Sequence, residues 1–107
     1  MSVREAIEAD GFDAFGELLA PDVVWVGLHP GELCRNRGDV LVMLENARAK
    51  GISARAEIVL ERDDALVVDP HLDGRHHVIV LHDGLVSEVL VYRDREAAVS
   101  AIEGRPW

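Results

Sequence analysis

The chain has 107 residues, 49% hydrophobic and 29% charged, with a formal charge of −9 from 20 acidic and 11 basic side chains. That length suits one domain over residues 1–107, and the composition is globular rather than disordered. The negative field repels a phosphate backbone and no basic stripe reverses it locally, which argues against nucleic acid as a partner.

No apolar run approaches the roughly 20 residues of a membrane span, so no membrane association is expected. The start, Met1-Ser2-Val3-Arg4-Glu5, goes straight into mixed polarity, which predicts no secretory leader. Cys34 is the only cysteine, so an internal disulfide is impossible and a cytoplasmic location is the natural expectation.

Val3, Ala6 and Ile7 make a short helical stripe, which Asp10-Gly11 interrupts. Phe12, Phe15, Leu18 and Leu19 continue at helical spacing, and Pro21 is expected to end that helix. Asp22-Val23-Val24-Trp25-Val26-Gly27 is β-branched and aromatic, hence a strand. His29-Pro30-Gly31 turns the chain, and residues 31 to 38 read as a loop. Asp39 is the expected N-cap of a helix running to about Lys50, with Val40, Leu41, Leu44 and Ala47 inward and Gly51 just past its end.

Ala54, Ala56, Ile58 and Leu60 alternate with Arg55, Glu57, Val59 and Glu61, a strand with one wet face. Arg62-Asp63-Asp64 turns into a strand over 65–69, and Asp73-Gly74 turns again. Residues 75–92 then form a hairpin closed at Asp83-Gly84, a pair that tolerates the positive φ angles of a tight turn. Both hairpin strands are apolar on both faces, so each side needs a cover. Asp94 caps a last helix carrying Ala97, Ala98, Ala101 and Ile102, and Arg105-Pro106-Trp107 trails off. Runs of helices separated from runs of strands predict an α+β fold, with helices on one face of a curved, mostly antiparallel sheet.

Four pieces carry a resemblance in register: Leu18-Leu19-Ala20-Pro21-Asp22-Val23-Val24-Trp25, Arg37-Gly38-Asp39-Val40, Asp83-Gly84-Leu85-Val86 and Tyr92-Arg93-Asp94-Arg95. Their order and spacing resemble the nuclear transport factor 2-like superfamily, most closely its SnoaL-like branch, over nearly the whole chain. The resemblance implies a cone (cystatin-like/nuclear transport factor 2-like) in which the sheet wraps around N-terminal helices and leaves an apolar pocket. It also implies homodimers through the outer sheet face. Family members include isomerases, cyclases, hydrolases, dehydratases and non-catalytic binding modules, so fold alone does not give the chemistry. The first helix is shorter than is usual in the family, which implies a thinner cover over the pocket. A simple register puts Gly27 and Val78 where the family's ketosteroid isomerases carry acid–base carboxylates, which disfavours that reaction.

Glu88 stands among apolar neighbours, with Val86, Leu90 and Tyr92 on one strand face. If that face lines the pocket, Glu88 is the candidate acid or base and Tyr92 the candidate donor to a ligand carbonyl, with Val78, Val80 and Leu90 as walls. The plainer alternative is an edge glutamate and a packed tyrosine. Trp25 is expected as pocket wall, and His29 as a proton-transfer candidate at the rim or a simple turn residue.

His76 and His77 point to opposite faces, and His76 and His82 lie roughly 20 Å apart along the strand. With no compact ligand spacing, neither a metal nor any other cofactor is expected; a metal site would need histidines from other strands plus Asp69. Asp69 reads as a strand end before Pro70, and Cys34 as a largely inert thiol. Arg37-Gly38-Asp39 spells an adhesion tripeptide, but its place at the start of a helix explains it. The leading expectation is a homodimer that binds a small apolar or carbonyl-bearing molecule, and the sequence leaves open whether it also acts on it as an isomerase, cyclase or hydrolase. Its rival is a non-catalytic binding or scaffolding module.

Overall fold

The computed structural model describes residues 2–9, 11–29, 31–52, 55–71 and 74–103. Its elements run α1 (Val3–Glu8), α2 (Phe12–Glu17), β1 (Leu19–Val26), β2 (Leu33–Cys34), α3 (Arg37–Ala49), β3 (Glu57–Arg62), β4 (Ala65–Asp69), β5 (His76–His82), β6 (Leu85–Tyr92) and α4 (Arg95–Glu103). The strands form one sheet in the order β2-β1-β6-β5-β4-β3. Only β1 and β6 run parallel, so the sheet is mostly antiparallel as the sequence predicts. Asp10, Pro30, Ala54, Asp73 and Arg105-Pro106-Trp107, on which parts of the sequence reading fall, lie outside the described residues. Among the described residues no helix is long and apolar enough to cross a membrane.

Local chemistry explains most of the boundaries. Ser2 and Glu5 form a reciprocal capping box at the start of α1. The second helix ends at Glu17, and Pro21 lies inside β1 rather than terminating a helix. It sits where the pairing with β6 slips between Leu19 and Val24, an irregular stretch in which a missing N–H costs no ladder bond. Asn36, not Asp39, caps α3: its side chain accepts from the Asp39 N–H at 2.9 Å. Asp94 caps α4 by accepting from Ala97 N–H at 2.8 Å. Asp83 and Gly84 both have positive φ, 53° and 79°, the turn expected of that pair. The two-residue strand β2 falls within the stretch that reads as loop.

Two cores lie on opposite sides of the sheet. On the inner side α1, α2 and α3 bury Val3, Ile7, Phe15, Val40 and Leu44 against Val23, Leu66, Ile79 and Val89. On the outer side α4 packs Ala98 and Ile102 onto Ala65, Val67, Val78 and Val80. This corrects the expectation that all helices share one face: α4 is the outer cover of β4 and β5. The two-sided oiliness of the hairpin is therefore met within one chain over much of its width.

Candidate functional site

Between α1–α3 and the inner sheet face lies an open cavity of about 210 Å³. Its walls are Phe12, Phe15, Trp25, Met43, Ile79 and Val89, with further aliphatic residues of the same elements. Three ionisable side chains break this apolar lining: Glu32, Arg75 and His77. Arg48 ties the α2 wall to α3, donating to Asp13 Oδ1 at 2.7 Å while its guanidinium sits 5.9 Å from the Phe12 ring centre.

The polar trio has a simple origin in strand parity. Arg75 and His77 stand two residues apart at the start of β5, so both point inward while His76 points out. Glu32 comes from the turn between β1 and β2, where its C=O accepts from Gly27 N–H at 2.9 Å. Glycine is required at 27, because a Cβ there would fall 2.3 Å from the Glu32 Cβ and push it off the wall.

Arg75 Nη1 lies 3.9 Å from Glu32 Oε2, too far for a hydrogen bond. Arg75 Nε is buried and has no hydrogen-bond partner among the described residues, a donor without an acceptor at the cavity wall. His77 meets Trp25 edge-on, with ring centres 5.4 Å apart and planes at 78°. Burial, and then the charges of Arg75 and His76, push its pKa down to about 4. The ring is therefore neutral at pH 7, offering one N–H donor and one lone pair.

Of the residues singled out from sequence, Trp25 alone lines this cavity. Val78, Val80, Leu90 and Tyr92 are placed on the outer side, in the core beneath α4. Glu88 pairs with Val24 and Val80 and shares that outer side. That face lies under α4 rather than α1–α3, and a bulge at Ser87 splits it from Val86: Val80 opposes Glu88 but Leu81 opposes Val86, so Val86 faces inward while Glu88 and Leu90 face outward. The five residues thus belong to the wrong face for this pocket, which corrects their expected placement. His29 is exposed and approaches the site through Glu32, its Nε2 standing 3.9 Å from Glu32 Oε1. Burial and the Asp39 charge push the Cys34 thiol up, which keeps it protonated at neutral pH.

Sequence reasoning missed Arg75 and Glu32, and left open which of His76, His77 and His82 faces the pocket. The signal available was the alternation Arg75-His76-His77, which places two of the three residues on one face without saying which face is hollow.

No family model matches the chain, and no curated protein does either. Solved structures do. An NTF2-like protein of unknown function from Cytophaga hutchinsonii superposes with a TM-score of 0.64 at 8% identity, over 84% of this chain and 91% of that one. A protein with a ketosteroid isomerase-like fold from Catenulispora acidiphila, crystallised with trimethylamine, gives 0.58 at 16% identity over 98% and 91%. A cystatin-like protein of unknown function from Xanthomonas campestris gives 0.58 at 22% identity over 97% and 94%. At such identities the likeness speaks for architecture, and it agrees with the open six-stranded sheet around N-terminal helices. The chain has the nuclear transport factor 2-like, cystatin-like α+β cone fold.

Proposed function

We propose that the chain binds a small, mostly apolar molecule carrying a carbonyl or similar hydrogen-bond acceptor, with its apolar body against Trp25, Phe15 and Val89 and its acceptor against Arg75. The single observation that carries this is the buried Arg75 Nε–H with no partner among the described residues, set in a mostly apolar cavity. A buried donor left unmade costs about 1–3 kcal/mol, and a ligand acceptor recovers that. A neutral acceptor suits the site better than a second anion, because Glu32 already stands beside the Arg75 charge. The size of the cavity sets the scale: about 150 Å³ accommodates benzene, so 210 Å³ suits a substituted single ring.

An acid–base enzyme is the second reading, with His77 in place of Glu88 and Tyr92. A pKa of about 4 makes His77 a weak base at neutral pH, far from the matched value a general base needs. That favours binding without turnover.

The test compares an aryl ketone such as acetophenone with ethylbenzene, which has the same shape and no acceptor, by calorimetry and thermal shift. The ketone is expected to bind about tenfold tighter, and Arg75→Met to erase the difference while leaving ethylbenzene unchanged. Equal affinities for the two ligands in the wild-type protein, or no binding of either, would overturn the reading.

The same reading includes a cytoplasmic homodimer. Leu33, Val26 and Leu90 form a cross-strand row on the outer face, beside the part that α4 covers. Val26 is 39% and Leu33 43% exposed, an apolar strip that a second copy would bury. Light scattering at micromolar concentration is expected to give twice the 11.8 kDa chain mass, and Val26→Lys half of that. A wild-type mass of 11.8 kDa would exclude the dimer.

A further inference from the structure

A second cluster lies on the opposite side of the sheet from the cavity, at one end of β3, β4 and β5. Glu57 opens β3 and is the direct cross-strand partner of Asp69, the last residue of β4. His76 opens β5 and faces Asp69 from the other side. His71 completes the group from the turn after β4. Its backbone is left-handed, φ 58°, and its N–H donates to Asp69 Oδ1 at 2.8 Å, which folds the imidazole back over the two carboxylates.

The spacing is that of ligands around a common centre rather than of bonded partners. His71 Nδ1 is 3.5 Å from Asp69 Oδ2, and His71 Nε2 is 3.8 Å from Glu57 Oε2. One ligand atom from each of Glu57, Asp69 and His71 lies within 4.8 Å of the other two. Direct hydrogen bonds would be about 2.7–3.2 Å. Neighbouring ligands of a tetrahedral ion with bonds of 2.0–2.2 Å stand about 3.3–3.6 Å apart, so adjustments of about 1 Å by the exposed Glu57 and His71 side chains close the set.

His76 supplies an independent indication. Its side chain is only 9% exposed, and Nδ1 lies 2.9 Å from the Gly74 carbonyl. That carbonyl can only accept, so Nδ1 carries the proton, and in the neutral ring Nε2 holds the lone pair. Nε2 points toward Asp69 Oδ2 at 3.7 Å, beyond hydrogen-bonding distance. A buried imidazole tied at one nitrogen by a backbone carbonyl, with the other presented to a carboxylate, is how metal-ligating histidines are oriented.

We infer that Glu57, Asp69, His71 and His76 form a site for one divalent transition-metal ion, with zinc the best match. Two imidazoles and two carboxylates suit zinc, whereas calcium and magnesium demand all-oxygen sets. His76 and His77 point to opposite sides of β5, so this site stands or falls independently of the cavity. The ligands come from three successive strands and a turn, which is why spacing along one strand does not reveal them.

The whole chain, stripped with chelator, is titrated with Zn²⁺ at pH 7.5 against a chromophoric competitor, with melting followed in parallel. One equivalent is expected to bind, zinc is expected to raise the melting temperature, and Mg²⁺ in excess is expected not to compete. Glu57 and His71 are exposed, so E57Q and H71A should keep the wild-type fold and each weaken zinc at least about tenfold. H29A and H82A, remote histidines, should bind as wild type. No zinc uptake, unchanged uptake by an E57Q/H71A double variant, or equal loss in H82A would overturn the assignment.

Discussion

As pH falls from 6.5 to about 4, the protein is expected to lose about 3 kcal/mol of folding stability through His77 alone. Above pH 6.5 the imidazole is neutral whether the chain is folded or not, so His77 contributes nothing to the pH dependence. Below it, the unfolded chain takes up a proton that the folded protein refuses, because the ring is buried beside Arg75. Stability then falls by about 1.4 kcal/mol per pH unit until the folded protein also protonates near 4, where the loss levels off. Urea unfolding at pH 7.5 and pH 4.5 measures this, with His77→Gln as the reference that removes the titrating group. Wild type should lose about 3 kcal/mol more than the variant across that interval. Parallel losses would mean that His77 is not held neutral on the cavity wall. Carboxylate titrations, common to both proteins, cancel in the comparison.

The same histidine marks the limit of what could be read from the chain. The Asp83-Gly84 turn, the capped final helix, the oily hairpin and the α+β class all follow from local chemistry, and the structure has them. Parity along a strand is equally legible: Arg75 and His77 against His76 is certain from a period of two. Which parity faces the hollow is not local information. It depends on where α1–α3 settle and on α4 taking the other side, and neither is encoded in the strands themselves. The bulge at Ser87 compounds this, since one extra residue moves Glu88, Leu90 and Tyr92 out of phase with Val86. Trp25 escaped the error because it sits on β1, beyond the bulge, where its inward neighbour Val23 shares its face. The Glu57–Asp69–His71 cluster was hidden for a related reason: cross-strand register brings it together, and composition does not.

Ile102→Ala is expected to cost about 2–5 kcal/mol, the range for truncating a large side chain in a well-packed core. Ile102 is 1% exposed and Ala98 fully buried, and together they cover Val67 and Val78, which are at 0% and 1%. A surface helix that merely grazed the sheet would leave those valines partly wet, so their burial reports that α4 is docked throughout its length. Denaturant unfolding gives the number, with Val42→Ala as control; Val42 is 62% exposed and its loss should stay within about 0.5 kcal/mol. The second consequence concerns assembly. Loosening α4 uncovers Val67, Val78 and Val80 beside the already exposed Val26–Leu33 strip, and widens the apolar face presented to other chains. Ile102→Asp, which also buries a charge, should therefore shift light scattering toward species larger than wild type forms. A loss below about 1 kcal/mol for Ile102→Ala, with unchanged mass for Ile102→Asp, would show that α4 is not the outer cover of the sheet.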